Sequence, residues 1–209
     1  MNNNQDGFER NVFINCPFDK EYIPLLRALI FTVIHLGFNP KIATERADSG
    51  ETRIEKIREL IETSKWSIHD LSRISSLKNK DINRMNMPFE LGIDMGCKFY
   101  KGGVAKTKRC LILEKEKYNY QKALSDISGS DIKNHNNEPE ELVLQVRNWF
   151  VGNSVQPATS GTQIWDIFNE FMVDFEQEIS RKGFKKKDLE AMTAPEYIYF
   201  IKEWFDKQE

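Results

Sequence analysis

Cysteine is scarce: Cys16, Cys97 and Cys110 are the only three in 209 residues. An odd count without a CxxC excludes a disulfide framework. No Cys/His cluster has metal-ligand spacing, so no metal centre is expected. Charge of one sign is also lacking. The 30 Lys and Arg face 32 Asp and Glu, a net charge of −2, which excludes a sequence-independent grip on nucleic acid, since that needs a concentrated basic field. The one basic run, Lys185-Lys186-Lys187 near Arg181 and Lys182, reads as a solvated helix end. Long hydrophobic runs are missing as well. The longest apolar stretch, Leu25 to Phe38, is interrupted by Arg27, Thr32 and His35 and is too polar for a membrane span. Residues 1–10 are polar, so they are expected to form a flexible N-terminus rather than a signal peptide, and the expected compartment is the cytoplasm. Glycine-rich phosphate cradles are absent too: there is neither a GxGxxG after the first strand nor a GxxxxGK[ST].

What is present suits a packed α/β domain. A hydrophobic share of 40% with 14 Phe and 4 Trp is ample for a core, and the length suits a domain of roughly 150 residues with a helical extension. Asn11 to Asn15 is a short apolar run closed by Cys16-Pro17, a buried first strand. Asp19 is placed to cap the next helix, where Tyr22, Leu26, Leu29 or Ile30 and Val33 recur at helical spacing, and Gly37 ends it. Phe38 to Ala43 reads as a second strand. Ile54, Ile57, Leu60 and Ile61 mark a second helix, and Trp66 to Leu71 a third strand. Residues 72–87 form a polar loop long enough to suggest function. Pro88 fits a helix start, with the helix reaching about Tyr100, and Arg109 to Leu113 is a fourth strand. Lys115 to Asn137 is polar and poorly periodic, and Glu138 to Phe150 reads as a helix. The expected organisation is therefore an α/β domain over 11–150, a linker over 151–161 and a C-terminal helical extension over 162–209. Alternating strands and helices predict a parallel sheet covered on both faces, with a ligand crevice outside the carboxyl ends of its strands.

Three polar clusters fall on that predicted rim: Asn15-Cys16-Pro17-Phe18-Asp19, His69-Asp70-Leu71-Ser72, and Asn86-Met87-Pro88-Phe89-Glu90. Glu90 is expected in the first turn of its helix, where backbone amides favour negative charge. Such a carboxylate can attack an electrophilic carbon or hold a sugar hydroxyl once water is excluded. Asp70 can orient it, or raise its pKa by like-charge proximity. Periodicity alone also allows Glu90 to be an ordinary first-turn charge, Asp70 a turn former and His69 a core residue. Cys16, with no base beside it, reads as a small buried hydrophobe.

At these residues the chain resembles the nucleoside 2-deoxyribosyltransferase-like group, a neighbour of the TIR domains. Val12-Phe13-Ile14-Asn15-Cys16-Pro17-Phe18 is similar to the family's first strand, which ends in a Tyr-Leu-Ala-Gly-Pro-Phe type of run. Asp70 and Phe89-Glu90-Leu91-Gly92 match, in order and rough spacing, the Asp after the third strand and the Phe-Glu-Leu-Gly-like helix start. The resemblance covers roughly residues 11–114. It implies a flavodoxin-like α/β fold and an N-glycosidic cleavage or transfer on a nucleotide, with NAD the favoured substrate rather than a resident cofactor. It puts Glu90 at the ribosyl carbon and Asp70 beside it as catalytic residues. Asn15, Cys16, Pro17, Phe18, Ser72, Asn86, Met87 and Phe89 would contact substrate, with Phe18 and Phe89 stacking a base. Asn15-Cys16 replaces the family's Ala-Gly pair and Met87-Pro88 its Gly-Thr-Ala type of run, departures that tell against ordinary nucleoside salvage. Standalone relatives with helical extensions resemble components of bacterial antiphage signalling, which implies a homo-oligomer. The alternatives are a module that senses a nucleotide without turning it over, and an oligomerising protein whose C-terminal helices bind a partner. The stripe Phe168, Phe171, Phe175, Tyr197, Phe200 and Trp204 is expected to pack back on the domain.

Overall fold

The computed structural model describes residues 3–45, 48, 50–74, 85–153, 155–156 and 159–208, with the backbone alone for 3–6 and 45. In chain order the elements are α1 (Asn3–Arg10), β1 (Asn11–Asn15), α2 (Ile23–His35), β2 (Asn39–Ile42), α3 (Arg53–Glu62), β3 (Trp66–Asp70), α4 (Asn86–Tyr100), β4 (Arg109–Glu114), β5 (Lys133–Asn134), α5 (Pro139–Gly152), α6 (Gly161–Arg181), α7 (Lys186–Glu190) and α8 (Ala194–Asp206). The strands form one parallel sheet in the order β2-β1-β3-β4-β5. This is the flavodoxin-like arrangement, in which chain order reverses between β1 and β3.

Period-two alternation assigns each strand residue to one face. Val12 and Ile14, Trp66 and Ile68, and Leu111 and Leu113 enter the large core with α2, α5, α6 and α8. Phe13 faces α3, and Ile112 packs with Leu91 of α4 on the opposite side. All five residues of both β1 and β3 are buried, as expected of central parallel strands covered on both faces. The C-terminal helices belong to the large core. Phe31 of α2 meets Phe168 and Phe171 of α6 and Trp204 and Phe205 of α8, with ring centroids 5.3–6.2 Å apart. The extension thus packs back on the domain, and one core runs through both.

Four local expectations change. Residues 1–10, read as a flexible tail, hold α1 over Asn3–Arg10. Phe8 of this helix is buried, the Phe8 carbonyl accepts from the Lys65 amide at 3.0 Å, and the Glu9 carbonyl accepts from the Trp66 indole at 2.8 Å. Its polar sequence hid these long-range anchors. Asp19 does not cap α2; the cap is Tyr22, and Asp19 instead binds Arg73 through Nε–Oδ2 at 3.0 Å and Nη2–Oδ1 at 3.1 Å. The stretch from Lys115 to Asn137 contains β5, which is too short to show alternation. Asn86 and Met87 lie in α4 rather than in the loop. Pro88 tolerates this as the third helical residue, where its missing N–H is still one without a helical partner. Residues 75–84 of the expected loop lie outside the described residues.

The linker is tied down where it is described. The Thr159 carbonyl accepts from Arg147 Nε at 3.1 Å and its hydroxyl lies 3.1 Å from His35 Nε2. Among the described residues no helix is long and apolar enough to cross a membrane.

Candidate active site at the sheet's carboxyl edge

The ends of β1 and β3 and the start of α4 meet where the chain order reverses, the place at which open parallel sheets bind ligands. Asn15 makes the joint. Its Nδ2 lies 3.0 Å from His69 Nδ1 and donates to the Met87 carbonyl at 3.0 Å. One amide group thus ties β1 to β3 and to the first turn of α4. Because Nδ2 must be the donor to a carbonyl, it is also the donor to His69, whose Nδ1 accepts and whose Nε2 carries the proton.

Below this joint lies a buried polar network. His69 Nε2 donates to Asp94 Oδ2 at 3.1 Å, and Ser67 Oγ donates to the same oxygen at 2.5 Å. Lys108 Nζ sits 3.0 Å from Asp94 Oδ1, an ion pair off the line of a regular hydrogen bond. The same ammonium donates to the carbonyls of Ile61 and Ser64 at the end of α3, at 2.8 and 2.5 Å. Burial pushes the Asp94 carboxyl up, but His69, Lys108 and Ser67 together outweigh it and hold the group at about 2. The ligand atoms of His69, Asp94 and Cys110 lie within 4.8 Å of one another, a grouping that could hold a metal ion and that linear spacing does not reveal. Here Lys108 already pairs with Asp94, and burial drives the Cys110 thiol to about 12.

Glu90 is the fifth residue of α4, not a first-turn residue, because the helix starts at Asn86. The helix-end field expected there is correspondingly weaker. Its side chain is only 5% exposed and pairs with Arg53 at the start of α3, Oε1 to Nη2, at 3.1 Å; the Arg53 side chain is 55% exposed. Burial raises the Glu90 carboxyl above its ordinary value, while Arg53 acts against the rise. Burial, rather than the like charge of Asp70, is thus the cause of the shift.

Asp70 stands in its own fully buried cluster. Tyr22 Oη donates to Oδ2 at 2.5 Å, the Ser72 amide to Oδ1 at 2.8 Å, and His135 Nε2 to Oδ2 at 2.9 Å. Burial opposes its ionisation, but His135, with Ser72 and Tyr22, outweighs that and holds Asp70 below the usual range. Ser72 Oγ also lies 3.0 Å from His135 Nε2, whereas His135 Nδ1 accepts from the Asn137 amide at 3.0 Å. Serine and aspartate therefore meet one ring nitrogen, and a nucleophile–base–acid relay needs both. Asn136 and Asn137, at φ 51° and 63°, turn the chain to aim His135 inward.

The three predicted clusters do converge. Cys16 is buried and feels the charges of Asp70, Glu90 and Asp19, which add to burial in pushing its thiol well up. Pro17, Met87 and Ser72 are buried, Asn86 is exposed, and Phe18 and Phe89 present open rings, 42% and 61% exposed. Sequence reasoning missed Arg53, Tyr22, Asp94, Lys108 and His135. Arg53, Tyr22, Lys108 and His135 reach the site from separate parts of the chain, so no local pattern marks them, whereas Asp94 lies one turn after Glu90 on α4. Comparison with protein-family models, curated proteins and solved structures gives no match.

Proposed function

We propose that the chain cleaves the N-glycosidic bond of a nucleotide, NAD being the favoured substrate, with Glu90 at the ribosyl carbon. The observation that carries this reading is a 5%-exposed carboxylate, held by one arginine, at the β1/β3 reversal of a flavodoxin-like sheet. The exposed rings of Phe18 and Phe89 on the same segments suit a planar base. In the reaction the C1′–N bond breaks and its electron pair returns to the pyridine ring. The carboxylate of Glu90 stabilises or traps the cationic C1′, and water completes the exchange. NAD and water then give ADP-ribose, nicotinamide and a proton. Asp70 supports the rim through Tyr22, Ser72 and His135 rather than touching substrate.

Nicotinamide release from NAD tests the reading, measured across oligomeric states because the resemblance to TIR-like enzymes implies that activity needs assembly. Wild type is expected to release it and Glu90→Gln to lose at least about 100-fold, the scale of removing an electrostatic stabiliser from a reacting centre. Equal release by both proteins overturns it. Because burial raises Glu90, the acid limb of kcat/KM is expected above the ordinary glutamate value, with activity falling as pH drops through it. The second reading, a nucleotide sensor without turnover, draws on the same pairing, since a carboxylate this enclosed and already bound by arginine also suits a ligand clamp. Tight NAD binding without product in every assembly state favours that reading.

A further inference from the structure

Among the described residues two arginines reach the rim, and they differ in what is left of their charge. Arg73 is 11% exposed and spends its fork on Asp19, with Glu21 a further 3.4 Å contact. Arg53 makes one ion pair, through Nη2 to Glu90 Oε1, and among the described residues its Nε and Nη1 have no protein partner. A guanidinium fixed at one corner by a buried carboxylate and open at the others is a preorganised receptor for a second anion. Cancellation of Glu90 alone would not need this, because a wholly enclosed partner would neutralise it better.

We infer that Arg53 is the specificity residue of the site and that it binds a phosphate carried by the substrate sugar. The inference rests on the reading of Glu90 at C1′. On that reading the group most naturally placed beside the Glu90–Arg53 pair is the 5′-phosphate of the same ribose, a few ångströms from the bond that breaks. Phosphorylated nucleotides are then the substrates and free nucleosides are discriminated against. The aromatic pair Phe18 and Phe89 is indifferent to the phosphate, so removing Arg53 separates base recognition from phosphate recognition.

The test pairs two probes that differ by one phosphate, nicotinamide mononucleotide and nicotinamide riboside, against wild type, Arg53→Gln and Arg53→Lys. Both probes are assayed at one pH, so a general defect of Glu90, a change in its ionisation included, affects them alike and cancels in their ratio. Wild type is expected to favour the mononucleotide by about tenfold or more in kcat/KM. Arg53→Gln is expected to bring the ratio to within about threefold of unity, and Arg53→Lys to fall between, because it keeps the charge and loses the fork. A wild-type ratio near unity, or an unchanged ratio in Arg53→Gln, overturns the inference and leaves the cleavage reading standing. Equal acceleration of both probes by Arg53→Gln also overturns it, since Arg53 would then be a brake on Glu90. If neither probe is cleaved, equilibrium binding replaces kcat/KM. Phosphate selectivity that depends on Arg53 would then support the inference and equal or absent binding would overturn it, while the cleavage reading is decided separately by nicotinamide release from NAD.

Discussion

Asp94 receives two hydrogen bonds on one oxygen and an ammonium on the other, with nothing left for solvent. An aspartate of the unfolded chain titrates near 3.8 and this one at about 2, so its contribution to stability is complete above pH 4 and disappears as pH falls towards 2. The shift corresponds to roughly 2 kcal/mol. Asp94→Asn is expected to lower stability at neutral pH and to flatten the acid side of a stability–pH profile, as followed by urea unfolding. Removing only one partner is the costly change, because it leaves the Lys108 ammonium buried without its counter-charge. Glu90 contributes with the opposite sign. Its raised pKa favours the folded state at low pH, and its ionised form costs stability above its titration. The same helix face therefore carries one carboxylate that stabilises by being charged and one that is held charged against burial. On the proposed reading the second is the group at the ribosyl carbon.

The legibility of these elements followed their length. β1, β3 and β4 were recognisable because five or six residues in a row show what each face must bury, and α2 and α6 because their apolar positions return every third or fourth residue. β5 has two residues and a register set wholly by Leu113 and Glu114, so nothing local announces it. The start of α4 was misplaced by two residues because proline is tolerated throughout the first helical turn. At the site, the rim positions of Asn15, Asp70 and Glu90 were readable from where strands end. Arg53 and His135 were not, since they join that rim from 37 and 65 residues away along the chain. Turns were readable where chemistry demands one residue type. Gly37 sits at φ 81°, its amide donates to the Ile34 carbonyl, and Phe38 reaches back to Val33 at 3.0 Å, a Schellman end to α2. Gly37→Ala is expected to cost about 1 kcal/mol, measured by chemical denaturation, with no change in the site.

Across the whole molecule the α2 face of the sheet has one core, and α6 and α8 form its outer wall. Phe168, Phe171, Phe175, Tyr197, Phe200 and Ile201 are buried in it together with Val12, Ile68 and Leu111. Deleting residues 160–209 is expected to abolish cooperative unfolding and to yield aggregates, as read by thermal melting and size-exclusion chromatography. A soluble, monodisperse α/β remnant would mean that the wall is a detachable module. The same arrangement sets a schedule for synthesis. Phe31 emerges early, but its stacking partner Phe205 is made 174 residues later, on the order of ten seconds or more at ordinary ribosomal speed. Until α6 and then α8 have emerged, the aromatic face of α2 waits incompletely covered, so the nascent chain is expected to depend on holdase chaperones far more than the finished protein does.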